Sequence, residues 1–593
     1  MSKWMVAAKK ADFKAIAEEF DISLITARLL RNRGLEDFTS IREFLRGDIK
    51  DMCDPLLLPG VEEAAGCISN AVKENRFIRV VGDYDVDGIC STAVLVLGLK
   101  KTGAAVDYRI PHRIRDGYGI NNSIVEEAFK DGVELIITCD NGIAAFDAVL
   151  KAKELGMEII VTDHHEVPVD VDSGRQILPE ASAVVDPKVM TDNAYTYPQT
   201  GICGAVVAMK LLQVLSRDIT ELKDSGLFNK IYELSALATV CDVMELNGEN
   251  RLLVKYGMSR MKNSSLAGLR ALIKVNGIYD KEISVHTIGF IIGPCLNASG
   301  RLDTAGRGVE LLLSEDDEDA VSKADYLKEL NEGRKQMTSR YLEEAVRLIE
   351  EKKLLNNKVL LVYLPGAHES VAGIVAGRLK ELYSRPAIVF TDSENGVKGS
   401  GRSIEAYNMF LSLSKYKDMF SAFGGHPMAA GLSMSDSQKI DILSTRLNEA
   451  CTLEDKDLEN VLHLDMELPP EYISEELIDE WNALSPFGNG NPSPLFAARD
   501  IIIKSGRILG QNANVGRYTA SDSKGKTYTL MLFGQLERWH DFLDEKYGIQ
   551  ARKSLYDTKE NPEKNIIVNI VYYPDINEFR GQKNIQLIMK DYK

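Results

Sequence analysis

Acidic and histidine side chains follow three short apolar, β-branched segments of the sequence, residues 77–81, 135–138 and 158–161. In chain order, the side chains that follow these segments are Asp83, Asp85 and Asp87, then Asp140, then Asp163, His164 and His165. Carboxylate and imidazole ligands without thiolates favour Mn²⁺ or Mg²⁺ over a structural zinc. Two such cations bridged by a carboxylate, about 3.5–4 Å apart, are a common device for hydrolysing phosphate esters. The residue types therefore indicate a hydrolytic metal site.

The surrounding pattern predicts how these residues meet. From about residue 66 to 310, strand-like and helical segments alternate, which indicates a parallel α/β sheet. The carboxyl ends of parallel strands converge on one crevice, so all three groups are expected there. Asp242 is a fourth contributor, because it ends an apolar helix face formed by Leu234, Leu237, Ala238 and Cys241.

A simpler interpretation exists for each acid taken alone. A single Asp at a strand end is more often a helix N-cap than a metal ligand. The DxDxDG pattern at residues 83–88 also resembles the start of an EF-hand loop, but Val94 occupies the position that requires Glu. The coincidence at three successive strand ends favours the metal site.

Composition bounds the class of protein. The chain has 593 residues, 45% hydrophobic and 27% charged, enough for three to five soluble domains. No apolar stretch approaches the ~20 residues of a membrane span, and the first residues lack a secretory signal. Eight scattered cysteines form no CxxC motif and indicate reduced core residues. We therefore expect a cytoplasmic protein without a membrane partner.

Net charge alone argues against a nucleic-acid partner, since it is −17 overall. The charge is unevenly distributed, however. Residues 454–480 carry a net −10, whereas residues 499–538 carry a net +4. These local charges are therefore a better guide to the binding partner than the overall net charge.

Several motifs together resemble the DHH phosphoesterase superfamily, named for Asp163-His164-His165, and within it the RecJ family of single-strand-specific exonucleases. The motifs occur in the family's order over about 80–510, most of the chain. They are residues 82–88, 110–119, 138–143, 238–251, 288–302 (IGFIIGPCLNASGRL), 399–403 (GSGRS), 424–431 (GGHPMAAG) and 485–496 (SPFGNGNPSPLF).

The resemblance implies two divalent cations, Mn²⁺ or Mg²⁺, with Asp140 bridging them. The residues implied as ligands are Asp83, Asp85, Asp87, Asp140, His164 and Asp242. The resemblance does not specify which of the first three coordinate a cation. His165 is implied to contact the scissile phosphate or to protonate the leaving group, and Asp140 and Asp163 are grouped with it as catalytic candidates. Water activated by the two cations attacks the phosphodiester in line.

Substrate contacts are implied in the same way. The candidates are Arg113, Asn297, Arg301, His368, Ser400, Arg402, Gly424, Gly425 and His426. Arginine suits bidentate phosphate binding, and glycines let backbone amides approach phosphate oxygens. A lone Arg is normally surface charge, and a glycine-rich loop alone is more often a turn.

The implied fold is α/β, with two lobes joined by a long helix and a C-terminal OB-fold β-barrel. The predicted boundaries are 1–65 for an N-terminal helical region, 66–314 for the DHH domain, 315–353 for the connecting helix, 354–452 for the DHHA1 domain, and 453–593 for an acidic linker and the OB-fold. In the barrel, Tyr518, Tyr528 and Phe533 are expected either to stack on bases or to fill the core.

The sequence departs from the family's usual motifs at three positions. Cys295 stands where the family usually has Arg, Ala367 where it has Trp, and Ser370 where it has Gly. The two segments that contain these positions, residues 288–302 and 364–370, are expected to face the substrate. The departures therefore predict altered binding of the DNA strand with intact metal chemistry.

The leading hypothesis is a metal-dependent exonuclease that degrades single-stranded DNA from the 5′ end to mononucleotides in DNA repair and recombination. It would act as a monomer, with a helicase and a single-strand-binding protein as partners. One alternative is a hydrolase of short oligonucleotides or small phosphoesters, against which the extra ~130 C-terminal residues argue. Another is a non-catalytic replication scaffold, against which the retained ligands argue.

Overall fold

The computed structural model describes residues 2–170, 172–192, 194–510, 513–557, 566–579 and 581–593. The chain forms two compact units, one of Met1–Gly47 with Glu459–Lys593 and one of Asp48–Leu458. Among the described residues, every helix is either too short or too polar to cross a bilayer.

The N-terminal segment belongs to the same unit as the C-terminal one. Its elements are β1 (Lys3–Val6), α1 (Phe13–Phe20), α2 (Leu24–Asn32) and α3 (Phe38–Arg46). Strand β1 pairs in parallel with Val461–Leu464, and the Trp4 indole donates to Asp591 Oδ2 at 2.7 Å. The predicted N-terminal region of residues 1–65 is thus divided between the two units. A strand pairing across more than 450 residues leaves no local pattern in the sequence, which explains why the helices alone were predicted.

The second unit begins with a five-stranded, fully parallel sheet in the order β3-β2-β4-β5-β6. Its central strands are buried apolar runs, as the alternating pattern predicts. The elements are α4 (Val61–Lys73), β2 (Ile78–Val81), α5 (Val86–Lys101), β3 (Val106–Arg109), α6 (Asn122–Lys130), β4 (Leu135–Cys139), α7 (Phe146–Glu154), β5 (Glu158–Thr162), β6 (Ala183–Val185), β7 (Met190–Thr191) and β8 (Ala194–Tyr195).

A group of helices then covers the sheet. They are α8 (Gly204–Leu215), α9 (Ser225–Cys241), α10 (Gly248–Met261), α11 (Ala267–Val275), α12 (Val285–Thr287), α13 (Gly293–Leu302), α14 (Gly306–Leu312) and α15 (Asp317–Glu351). A π-helical turn, Ile288–Ile292, joins α12 to α13. The 35 residues of α15 correspond to the predicted connecting helix and extend about 50 Å.

A second α/β part follows α15 in the same unit. Its elements are β9 (Leu360–Tyr363), α16 (Glu369–Tyr383), β10 (Ala387–Ser393), β11 (Gly396–Arg402), α17 (Met409–Ser414), β12 (Ala422–His426), β13 (Ala429–Met434) and α18 (Lys439–Glu449). The sheet order is β12-β13-β11-β10-β9, in which only β9 and β10 are parallel. The prediction of a second α/β lobe is confirmed.

The C-terminal part of the first unit contains a closed barrel. Its elements are β14 (Val461–Leu464), β15 (Met466–Glu467), α19 (Glu475–Asn482), β16 (Phe496–Leu509), β17 (Val515–Ser521), β18 (Thr527–Phe533), α20 (Leu536–Tyr547), α21 (Ile549–Tyr556), β19 (Ile566–Phe579) and β20 (Gln582–Tyr592). The sheet runs β15-β16-β17-β18-β20-β19, and a further β16–β19 pairing closes it. The predicted small β-barrel is confirmed.

Helix α8, whose N-terminus approaches the predicted metal site, is anchored by a buried ion pair. Lys210 Nζ lies 2.8 Å from Glu249 Oε2 on α10, and it also donates to the Cys53 carbonyl at 2.5 Å. Both side chains are buried, and the Tyr197 hydroxyl donates to Glu249. Removing one partner of such a pair leaves an uncompensated buried charge.

Lys210→Met is expected to reduce the free energy of unfolding by about 3–5 kcal/mol, because the Glu249 carboxylate stays buried without its cation. Chemical denaturation measures the change. The matched control is Lys101→Met, whose partner Asp224 lies 3.0 Å away in a half-exposed pair; it is expected to change stability by no more than about 1 kcal/mol. Equal losses in the two variants would contradict the anchoring role.

Candidate metal centre

Three adjacent strands deliver the predicted residues to one edge of the parallel sheet. Val81, Thr138 and Val161 pair in one row, so β2, β4 and β5 end side by side. The loops that follow carry the acids and histidines of the sequence motifs. Asp242 joins them from the C-terminal end of α9. The convergence that the sequence predicts is therefore present.

The candidate ligand atoms form overlapping groups that share Asp140 and His164. His164 Nε2 lies 3.0 Å from Asp140 Oδ1, 3.5 Å from Asp87 Oδ2 and 3.7 Å from Asp242 Oδ2. Three sets of side chains each offer ligand atoms within 4.8 Å of one another: Asp83, Asp85 and Asp140; Asp87, His164 and Asp242; and Asp140, His164 and His165. Asp140 belongs to two of the sets, which is the position expected of a bridging carboxylate.

The electrostatics of the cluster fit divalent cations. Burial, followed by repulsion from neighbouring carboxylates, raises the pKa values of Asp83 and Asp140 well above the usual range and that of Asp242 to about 8. Asp242 Oδ2 is also buried without a hydrogen-bond partner in the described part of the chain. Cations would relieve the repulsion and satisfy this oxygen. The oxygen and imidazole donors suit Mn²⁺ or Mg²⁺.

Two helix N-termini hold the acids of the first motif. Asp85 caps α5, because its Oδ1 accepts from the amides of Asp87 and Gly88 at 3.0 and 3.1 Å. The Asp87 carboxylate accepts from Gly204 N at 2.6 Å and Ala205 N at 2.8 Å, at the start of α8. Such amides stabilise negative charge. The capping and metal-binding interpretations of these acids are thus compatible.

Backbone geometry brings Asp140 close to α8. Asp140 adopts a left-handed conformation, with φ of 61°, directly after β4. A Cβ atom on Gly204 would lie only 2.7 Å from the Asp140 Cβ, so glycine is required at the start of α8. Backbone strain of this kind concentrates at functional sites.

Asp163 lies behind the two histidines and outside the three ligand sets. Its Oδ2 accepts from Ile143 N at 2.9 Å, and its Oδ1 accepts from His164 N at 2.8 Å. The same Oδ1 lies 2.7 Å from His165 Nδ1. Burial alone would raise the pKa of Asp163, but these bonds hold it below its usual value. The contacts indicate a positioning residue.

His165 faces outward from this support, with its side chain 46% exposed. Burial of the ring opposes protonation, but the Asp163 hydrogen bond outweighs it and raises the pKa of His165 to about 9. The Tyr118 hydroxyl lies 3.2 Å from the imidazole nitrogens and donates to the Asp140 carbonyl at 3.1 Å. His165 is thus held by Asp163 at the exposed side of the metal centre.

Four guanidinium groups gather beside the acidic cluster: Arg113, Arg301, Arg334 and Arg402. Burial, together with repulsion from the other three, lowers the pKa of Arg301 to about 9. Arg113 lies over the Tyr84 ring at 4.5 Å, and Arg334 donates two bonds to Asn331 Oδ1 at 3.1 and 2.9 Å. Within the described ranges, no salt bridge joins any of the four to a carboxylate. Half-buried cations without a carboxylate partner are suited to binding an anion.

A cleft of about 330 Å³ lies next to these arginines, between the two α/β parts of the unit. Tyr84 and Arg113 line it from the parallel-sheet side, and Ser370, Lys398 and Ser400 line it from the opposite side. Lys398 pairs with Glu369 at 2.7 Å, so its charge is partly compensated. The cleft is therefore lined by Arg113, which no carboxylate pairs with in the described ranges, and by Tyr84, the neighbour of Asp83 in the sequence.

The remaining predicted contacts are not among the residues that line the cleft. Asn297 is half-buried on α13, one turn before Arg301, and His368 caps α16. Gly424, Gly425 and His426 lie exposed on the edge strand β12 and do not line the cleft.

The departures from the family motifs have different surroundings. Ser370 of segment 364–370 lines the cleft, and Arg301 of segment 288–302 donates to the Ser370 carbonyl at 2.7 Å. Cys295 and Ala367 are buried in hydrophobic cores. The Cys295 thiol contacts the Asn331 amide at 3.6 Å. Any effect of Cys295 or Ala367 on strand binding would therefore be indirect, through packing, while the expectation that their segments face the substrate stays a prediction.

In the barrel, the three aromatic residues also differ from one another. Tyr518 is buried in the core, Tyr528 donates to Asp522 Oδ2 at 2.8 Å, and Phe533 is 55% exposed. Only Phe533 has a ring that is largely free to stack on a base.

Sequence reasoning missed several residues of the cleft, the metal centre and the arginine cluster. Tyr84 and Tyr118 lie inside motifs that were recognised for their acids and glycines, so their aromatic rings were available as a signal. Arg334 lies on the highly charged helix α15, where one cation among many carries no signal. Its role depends on burial, which only packing reveals.

Family models match three parts of the chain. They are the DHH family, N-terminal domain over residues 77–239, the DHHA1 domain over 356–452, and the RecJ OB domain over 464–591.

Whole-chain relatives agree with these matches. The single-stranded-DNA-specific exonuclease RecJ of Bacillus subtilis is 35% identical over 99% of this chain and 70% of its own length. The RecJ of Escherichia coli is 34% identical over 95% of this chain and 94% of its own. The crystal structure of Thermus thermophilus RecJ in complex with Mn²⁺ matches with a TM-score of 0.78 and 27% identity, covering 100% of this chain and 79% of that one. With these relatives, the three domain matches and the carboxylate–histidine centre, the chain belongs to the RecJ family.

Proposed function

We propose that this protein is a metal-dependent exonuclease that hydrolyses single-stranded DNA from its 5′ end to mononucleotides, in DNA repair and recombination. The observation that carries the proposal is the overlap of the ligand sets at Asp140 and His164. Relatives that cover nearly the whole chain carry the name single-stranded-DNA-specific exonuclease. The residues fit two divalent cations, Mn²⁺ or Mg²⁺.

The residues of the centre divide into ligands and supports. Those that hold the cations are Asp83, Asp85, Asp87, Asp140, His164 and Asp242. When bound, the two cations supply the Lewis acidity that activates water and neutralises charge on the phosphate. His165 donates to the scissile phosphate from the open side, and Asp163 holds the imidazole in place. Tyr118 limits the movement of the His165 ring.

The strand is bound through its phosphates. Arg113, Arg301 and Arg402 bind phosphate oxygens, with Ser400 and His368 as further hydrogen-bond donors. Asn297 contacts the DNA strand farther along, as do three exposed residues of β12: Gly424, Gly425 and His426. A cluster of guanidiniums at one end of the cleft favours a terminal phosphate, which carries more negative charge than an internal one. This supports degradation from the 5′ end.

The cellular setting follows from the same proposal. We infer a cytoplasmic monomer that works on strands opened by a helicase and covered by a single-strand-binding protein. Size measurement in solution tests the monomer.

The deciding experiment is digestion of 5′- and 3′-labelled single strands and blunt duplexes with Mn²⁺, Mg²⁺ or a chelator. We expect single strands to be lost from the 5′ end only with metal, while duplexes are largely spared. Asp140→Asn is expected to reduce the rate by about 10³-fold or more, because it removes the shared ligand. Asp147→Asn, on the surface of α7, is the control.

Binding of the metal is measured separately by thermal unfolding. Mn²⁺ at about 100 times its Kd is expected to stabilise the wild type by about 2.7 kcal/mol, and Asp140→Asn much less. Faster hydrolysis of dinucleotides than of long strands would favour the short-oligonucleotide alternative. Unchanged nuclease activity in Asp140→Asn would favour the scaffold.

Asp163→Asn is expected to lower kcat by about 10–100-fold while Mn²⁺ binding falls less than in Asp140→Asn. The reason is that Asp163 orients both histidines but lies outside the ligand sets. The measurement pairs steady-state kinetics with titration of Mn²⁺. Loss of metal binding as complete as in Asp140→Asn would contradict a positioning role.

Arg334→Ala is expected to raise KM for single strands by about tenfold with little change in kcat, since the cationic cluster around Arg301 loses one of the charges that attract phosphate. Arg347→Ala is the matched control, because Arg347 is exposed on the same helix and pairs only at 3.8 Å with Glu351. Identical KM values in the two variants would remove Arg334 from the phosphate-binding cluster.

A further inference from the structure

Ser370 occupies a junction at the beginning of α16. It is the second residue of the helix, is 6% exposed, and lines the cleft. Its amide, hydroxyl and carbonyl each make a contact with a residue that the proposed function uses for binding phosphate. A residue with these three contacts can orient two hydrogen-bond donors, His368 and Arg301, at the same time.

The amide and hydroxyl of Ser370 both contact His368. His368 is the N-cap of α16, and its Nδ1 accepts from Ser370 N at 3.3 Å. The Ser370 hydroxyl lies 2.7 Å from the same Nδ1. Because a backbone amide can only donate, Nδ1 is the acceptor in the bond from Ser370 N, which places the ring proton on Nε2 and leaves the Ser370 hydroxyl to donate to Nδ1. Nε2–H has no partner among the described residues and is therefore available to an oxygen acceptor.

The carbonyl of Ser370 contacts Arg301. Arg301 Nη1 donates to it at 2.7 Å, which links α13 of the parallel-sheet part to α16 of the second α/β part. This bond uses one N–H of the guanidinium and orients the plane of the group. The other N–H groups stay directed away from the carbonyl, and in the part of the chain described here no carboxylate pairs with them.

We propose that Ser370 is a positioning residue for phosphate binding. Its amide and hydroxyl hold His368 as the Nε2–H tautomer, while its carbonyl fixes the Arg301 guanidinium. The pair of donors is thereby oriented before the strand arrives, which lowers the ordering cost of binding. This inference rests on the proposed function and deepens it, because it assigns the orientation of two donors to one residue.

Three variants separate the contacts. Ser370→Ala removes only the hydroxyl and keeps the amide and carbonyl. His368→Asn keeps a side-chain acceptor that can cap α16, but it has no atom at the position of Nε2. His368→Gln keeps a donor near the position of Nε2 but loses the cap. Ser412→Ala is the matched control, because Ser412 makes a similar bond to the Asn408 carbonyl on another helix of the same part.

We expect Ser370→Ala to raise KM for 5′-phosphorylated single strands about fivefold, and His368→Asn about tenfold or more, with kcat within about twofold and Tm unchanged. Nitrogen NMR of histidine-labelled protein is expected to show one His368 tautomer in the wild type and a mixture in Ser370→Ala. Ser412→Ala is expected to match the wild type in both measurements.

The outcomes distinguish this inference from the proposed function. If the wild type leaves single strands intact, the proposed function fails and this role fails with it. If the wild type degrades single strands but Ser370→Ala retains both its KM and its single tautomer, only the positioning role is overturned. A fall in kcat together with Tm would show a structural role instead and would also overturn it.

Discussion

Mutual repulsion among buried carboxyl groups is the constraint on which the site depends. Asp83, Asp87, Asp140 and Asp242 each belong to a group of ligand atoms that lie within 4.8 Å of one another, and burial makes each charge more costly. The fold offsets part of this cost at two helix N-termini, where backbone amides donate hydrogen bonds to the carboxylates of Asp85 and Asp87. The remaining cost is relieved by divalent cations, so the same repulsion that would destabilise the metal-free protein provides its affinity for metal.

The opposite charge is concentrated a short distance away. Arg113, Arg301, Arg334 and Arg402 repel one another, and no described acid pairs with them. Each cluster is unfavourable alone, and each is compensated by a ligand of the opposite sign. A phosphodiester strand with its cations supplies both, which explains why an excess of acid and an excess of base lie close to each other in one unit. The overall charge of −17 conceals this separation.

Positioning residues make these clusters usable. Asp163 and Ser370 each accept or donate several bonds to neighbouring functional side chains, and neither belongs to a ligand set itself. Their influence acts through geometry, because a hydrogen bond fixes both the rotamer and the tautomer of a histidine. The metal centre and the cleft thus share one design, in which buried polar groups orient partly exposed donors.

The sequence by itself determined the strand ends, the types of ligand and their order along the chain, because these follow from local periodicity and from residue chemistry. Tertiary structure alone decided that Asp163 supports the histidines, that Arg334 joins the cationic cluster, that Cys295 and Ala367 point inward, and that β1 pairs with β14 across the chain. These properties depend on which groups become neighbours and lose water, and both depend on contacts between residues far apart in sequence.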